Sequence, residues 1–151
     1  MSNPLLEGRK GERHLLLGNE AIVRGALEAG VHVVTCYPGT PSSEVPDTFY
    51  KMGGNGKRYY MQYSVNEKVA MEVACGAALG GAMALVTMKH VGLNVAADPL
   101  FTSAYTGLPG GLVVLRTPAS IPRRMSRTTV ITRALPISPA SSRPRPRRPR
   151  T

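Results

Sequence analysis

Between residues 15 and 115 the chain alternates short β-branched runs with helical stretches, and few folds accommodate that alternation. The runs VHVVTCY (31–37), RYYMQY (58–63), AMALVTM (82–88) and GGLVVL (110–115) have the length and residue types of strands rather than helices. Gly18-Asn19-Glu20 opens a helix to about Glu28, with Ala21, Ile22, Gly25, Ala26 and Ala29 expected on its apolar side and Gly30 as its stop. Pro38-Gly39-Thr40-Pro41 forces a turn, and Ser42 or Ser43 can cap the short helix after it. Asn66 caps a third helix that ends near Gly80-Gly81, and an Ala-rich helix is expected from Val91 to about Tyr105. Helices placed between buried strands imply βαβ crossovers. The predicted fold is therefore α/β, a parallel sheet with helices on both faces. Such sheets bind ligands at the carboxyl ends of their strands, so the loops starting at Tyr37, Ser64 and Lys89 should meet on one rim.

The net charge of +10 suggests a nucleic-acid binder until it is mapped. Residues 1–115 hold nine Lys/Arg against all nine Asp/Glu and are formally neutral. Residues 116–151 carry the other ten basic residues, all arginine, with no acid and seven of the 13 prolines. Two kinds of sequence meet near Leu115, giving an N-terminal extension (1–14), a domain (15–115) and a Pro/Arg-rich tail (116–151) whose composition suits disorder. No apolar run approaches the roughly 20 residues of a membrane span, and residues 1–12 have no signal-peptide character. Cys36 and Cys75 have no metal-binding spacing and read as buried free thiols of a reducing cytoplasm.

Chemistry concentrates in SVNEKVAMEVACGAA, where Glu67 stands in the first turn of a helix rich in small residues. From the residue alone, Glu67 is either a ligand-facing carboxylate or a first-turn acid stabilised by the helix dipole. The blocks LLLGNEAIVRGALEAGV, YPGTPSSEVPDT, SVNEKVAMEVACGAALGG and ALVTMKHVGLNVAADPL resemble, in order and spacing, the N-terminal pyrimidine-binding domain of indolepyruvate ferredoxin oxidoreductase alpha subunits. The Tyr-Pro-x-Thr-Pro loop is shared with the wider 2-oxoacid:ferredoxin oxidoreductase group. The resemblance implies an oxidoreductase that uses thiamine diphosphate to decarboxylate an aryl pyruvate, passes electrons through [4Fe-4S] clusters to ferredoxin, and traps the acyl group on coenzyme A. It implies that Glu67 is the catalytic carboxylate, sharing a proton with the pyrimidine nitrogen opposite the amino group and favouring the imino tautomer that generates the ylide.

The same resemblance assigns cofactor contacts to Tyr37, Pro38, Gly39, Thr40, Glu67 and Asn94, and substrate contacts to Thr40, Lys89 and His90. Thr40 is alternatively a turn hydroxyl, Gly39 a plain turn glycine, and Lys89, His90 and Asn94 ordinary exposed residues. Glu72 reads as a partly exposed helix residue or a subunit contact, and His14 and His32 as surface or structural residues. The resemblance places Mg²⁺ and the diphosphate in another domain, assigns no metal ligand here, and implies a beta subunit as partner. An isolated chain of this length is expected to be poorly soluble and inactive, with a sheet edge and apolar helix faces uncovered.

Family members continue past the fourth strand with a segment like Ser-Ser-x-Asn-Glu-Gln-Asp-Asn-Arg. Codons can be chosen for residues 124–133 (RMSRTTVITR) that, read two bases later, spell Asn-Glu-Gln-Asp-Asn-Arg-Tyr-Tyr-Ala. The tail is therefore expected to be out-of-frame translation, binding nucleic acid only non-specifically through its charge. The alternatives are a non-catalytic α/β subunit-interaction module and a basic nucleic-acid-binding protein.

Overall fold

The computed structural model describes residues 11–52 and 58–117 and the backbone of 129–133. The elements, in chain order, are α1 (Gly18–Glu28), β1 (Val33–Cys36), α2 (Glu44–Lys51), β2 (Tyr60–Tyr63), α3 (Glu67–Leu79), β3 (Ala84–Lys89), α4 (Gly92–Val95), α5 (Ala97–Thr106), β4 (Leu112–Thr117) and β5 (Thr129–Arg133). The sheet order is β2-β1-β3-β4-β5. The first four strands are parallel, and β5 pairs antiparallel with β4. This is the α/β architecture that the alternating pattern predicts.

Side chains that alternate along each strand feed two separate cores. Ala84, Val86 and Met88 of β3 face Ala70, Ala74 and Ala78 of α3. Leu85 points the other way, into the cluster with Val34, Cys36, Val45 and Phe49. The alanines of α3, spaced four apart, share one face of the helix and let it lie close to the sheet. Thr35, on β1, donates its hydroxyl to the Ala70 carbonyl at 2.8 Å, joining strand to helix inside the core.

Several local expectations change. The apolar face of α1 centres on Val23, fully buried, with Ile22, Ala26 and Leu27 beside it, while Gly25 is exposed. The helix expected from Val91 breaks at Ala96, because Pro99 has no N–H to offer the Val95 carbonyl and its ring crowds that carbonyl. Neither serine caps α2: Ser43 occupies the N-cap position without a side-chain cap bond, and both hydroxyls bond to Gly39 instead. The fourth strand runs through Thr117, so Arg116 and Thr117 belong to the sheet rather than the tail. Within the stretch expected to lack packed structure, Thr129–Arg133 forms β5. The remaining expectations for 1–10, 118–128 and 134–151, including the shifted reading frame, lie outside the described residues.

Beyond α1, the sheet face over β3 and β4 carries no helix among the described residues. An open apolar groove of about 230 Å³ runs there between Ile22, Ala26 and Ala29 on one side and Leu85, Val113 and Leu115 on the other. No helix among the described residues is long and apolar enough to cross a membrane.

Candidate functional site

The carboxyl ends of β1, β2 and β3 are stitched together by backbone bonds that continue past the strands. Ser64 N–H donates to the Cys36 carbonyl at 2.8 Å, and Tyr37 N–H to the Thr87 carbonyl at 3.3 Å. The three loops expected on one rim thus leave adjacent strands at one level of the sheet.

Asn66 turns the chain from β2 into α3. Its backbone is extended and its side chain accepts from Val69 N–H at 2.8 Å, satisfying one of the helix's free donors. That cap fixes Glu67 in the first turn. Glu67 is only 4% exposed, although it opens a helix, and no hydrogen bond or ion pair joins its carboxyl to another described residue. It lies against Gly92 at the start of α4: a Cβ on Gly92 would stand 2.6 Å from Glu67 Cγ and Oε1. The buried Ser64 hydroxyl, at the end of β2, also has no partner among the described residues. Buried polar groups normally find hydrogen bonds, and among the described residues the hydroxyls of Ser64 just past β2, Thr87 on β3 and Thr117 on β4 do not.

The second contact across loops joins Gly39 to Lys89. A Cβ on Gly39 would lie 2.8 Å from Lys89 Cβ and 2.9 Å from its Cδ, so the absent side chain makes room for the lysine stem. Ser42 donates to the Gly39 carbonyl (2.6 Å) and Gly39 N–H donates to Ser43 Oγ (2.9 Å), which pins this loop. The Thr40–Pro41 peptide is cis. Pro38 and Thr40 are exposed, and Tyr37 and Lys89 are half-buried. His90 and Asn94 are exposed on the loop after β3. Arg116, from β4, donates to His90 Nδ1, adding to this loop a second basic side chain that was grouped with the tail in the sequence.

The other candidates occupy structural positions. His32 Nδ1 accepts from Met83 N–H at 3.0 Å, and His14 pairs with Glu12. Glu72 is exposed beside Lys68, which also reaches Asp98 at 3.0 Å. Cys36 is fully buried, and burial, reinforced by the nearby Asp47, pushes its thiol up to about 12. Such a thiol is inert. Cys75 is half-buried, its thiol raised first by burial. The described residues contain no cluster of His, Cys, Asp and Glu able to hold a metal.

Gly92 and Arg116 were not singled out by sequence, and Ser64 was named only as the start of a rim loop. A glycine opening a helix, a serine before a cap and an arginine in an arginine-rich stretch each have commonplace explanations. Contact across the rim distinguishes Gly92 and Arg116, and an unpartnered buried hydroxyl distinguishes Ser64.

Residues 24–122 match the model of the thiamine-diphosphate-binding domain of pyruvate flavodoxin/ferredoxin oxidoreductases. The chain is 55% identical over 118 residues to the indolepyruvate oxidoreductase subunit IorA of Archaeoglobus fulgidus, covering 76% of this chain and 19% of that protein. It is 54% identical over 111 residues to the same subunit of Pyrococcus abyssi, covering 74% and 17%. The chain thus spans less than a fifth of the length of these relatives. The fold also resembles a solved 2-oxoglutarate:ferredoxin oxidoreductase from Magnetococcus marinus, with a TM-score of 0.60 at 22% identity, over 72% of this chain and 18% of that one.

Proposed function

The chain belongs to the thiamine-diphosphate-binding domain family of pyruvate flavodoxin/ferredoxin oxidoreductases, and on that premise we propose that it builds the pyrimidine-facing half of a thiamine diphosphate site, with Glu67 as its catalytic carboxylate. The observation that carries this reading is the placing of Glu67, 4% exposed and joined to no described residue by a hydrogen bond or ion pair, beside the loop after β3. A carboxyl so placed lacks a hydrogen-bonding counterpart, and a ring nitrogen able to share a proton is one. Ser64 Oγ, buried and unpaired in the same region of the sheet, fits a polar ligand edge as well.

When bound, thiamine diphosphate supplies the nucleophilic carbon and electron sink for 2-oxoacid decarboxylation. Glu67 holds or passes the proton at the ring nitrogen opposite the amino group. Tyr37, Pro38, Gly39 and Thr40 present a loop pinned by Ser42 and Ser43 to the ring. Asn94 offers an exposed amide on the same side, and Lys89 and His90, with Thr40, attract the carboxylate of the substrate. The substrate class, aryl pyruvates such as indolepyruvate, follows the similarity to the two oxidoreductase subunits.

Mg²⁺, [4Fe-4S] clusters, coenzyme A and ferredoxin belong in this proposal to polypeptide outside the shared segment. So does a beta subunit, for which exposed Val91, Val95 and Phe101 offer an apolar contact surface near the rim. The two free thiols suit a cytoplasmic setting.

The test is a chimera in which residues 15–115 replace the matching segment of the Archaeoglobus subunit. Glu67→Gln is expected to slow deuterium exchange at the thiazolium C2 by about 10²–10⁴-fold. Exchange at the unaltered rate would overturn the assignment. The 151-residue chain alone is expected to show no turnover of aryl pyruvate.

A further inference from the structure

We infer that Gly92 is the positioning residue for Glu67, its bare backbone forming the socket that fixes where the carboxyl points. Glycine is required at a position either by its backbone conformation or by space. Conformation does not require it here. The described glycines with positive φ are Gly11, Gly30, Gly81 and Gly107, whereas Gly92 opens the helical turn of α4. Space does. A Cβ at 92 would lie 2.6 Å from Glu67 Cγ, 2.6 Å from Oε1 and 2.9 Å from Cδ, closer than any real contact. Gly76, inside α3, is the contrast, since nothing lies within 4 Å of where its Cβ would stand.

Both partners are constrained. Gly92 is buried, and its carbonyl accepts from Ala96 N–H at 3.1 Å, which ties it to the turn that leads into α5. Glu67 follows the Asn66 cap, which holds its backbone in place, so the side chain is the part that must yield. A methyl group on residue 92 would therefore displace the carboxyl rather than share the space. The consequence for cofactor activation rests on the function proposed above. The packing relation does not, and it is measured without cofactor.

The experiment is a double-mutant cycle on the full 151-residue chain, read by thermal midpoint. Gly92→Ala is expected to lower the midpoint by about 4–8 °C or more, as overpacking does in a domain of this size. In a Glu67→Ala background the same substitution is expected to leave the midpoint unchanged or raise it, because alanine otherwise stabilises a helical position. In a Glu67→Gln background the loss should return, since the amide has the carboxylate's size. Labelling glutamate at Cδ with ¹³C adds a readout of position: the Glu67 resonance should shift in Gly92→Ala and stay in place in Gly76→Ala. An equal loss with Glu67 present and truncated, failure of both variants to fold, or an unmoved resonance each overturns the inference. Any of these leaves the test of Glu67→Gln on C2 exchange standing, so the two readings fail separately.

Discussion

Replacing Glu67 with methionine should make this protein more stable while ending the chemistry proposed for it. Leaving a buried polar group without a hydrogen bond costs about 1–3 kcal/mol. Glu67 is 4% exposed and has no partner among the described residues, so part of that cost applies. A first-turn acid recovers about 0.3–1 kcal/mol from the helix dipole, which leaves a net penalty of about 1–2 kcal/mol. Methionine matches glutamate in length and helix propensity and contains no group that needs a partner. Its unbranched chain occupies the same space beside Gly92. The thermal midpoint should rise by roughly 4–16 °C, at about 4–8 °C per kcal/mol for a domain near 100 residues. Urea unfolding should show a higher midpoint at constant m-value. Glu72→Met, on the exposed face of the same helix, serves as control and should stay within about 0.5 kcal/mol. A Glu67→Met midpoint at or below wild type would refute the reasoning, because it would mean that the carboxyl is satisfied where it lies.

Two further outcomes follow from the packing and the buried thiol. Gly110→Ala should cost about 3 kcal/mol or more in urea unfolding, since its Cβ would stand 2.2 Å from the Ala82 carbonyl oxygen and 2.8 Å from that of Ala78, and backbone cannot yield as a side chain does. The Cys36 thiol, at about 12 against an ordinary 9.0, holds its proton more tightly folded than unfolded. Its contribution to stability is thus complete below pH 9 and is lost as pH rises toward 12, so denaturation midpoints should fall across that window, and less steeply in Cys36→Ala. Burial also raises Tyr59, which adds to the same alkaline loss.

The segments that read clearly were those whose pattern is carried by neighbouring residues. The run Ala84 to Met88 announced a doubly buried strand because four of its five side chains are apolar, and its side chains join the core on each side of the sheet. Asn66 announced the start of α3 because capping is a contact three residues long. The face of α1 was harder: Ala21, Gly25 and Val23 differ little in polarity, and only the position of α2 and the sheet selects Val23. Pro99 was visible, yet its effect on the helix from Val91 depended on where the first turn of α5 fell. Arg116 was grouped with the tail by composition, whereas strand pairing with β3 carries it past Leu115.

Order along the chain determined the alternation of strands and helices, the parallel sheet, and the placing of Tyr37, Ser64 and Lys89 at strand ends. Those are consequences of periodicity and turn chemistry, which act over a few residues. Tertiary structure alone decided that Gly92 makes room for Glu67, that Gly39 makes room for the Lys89 stem, and that Glu67 is buried with no partner among the described residues. Each of these depends on the distance between side chains on separate loops, which exists only once the strands have paired.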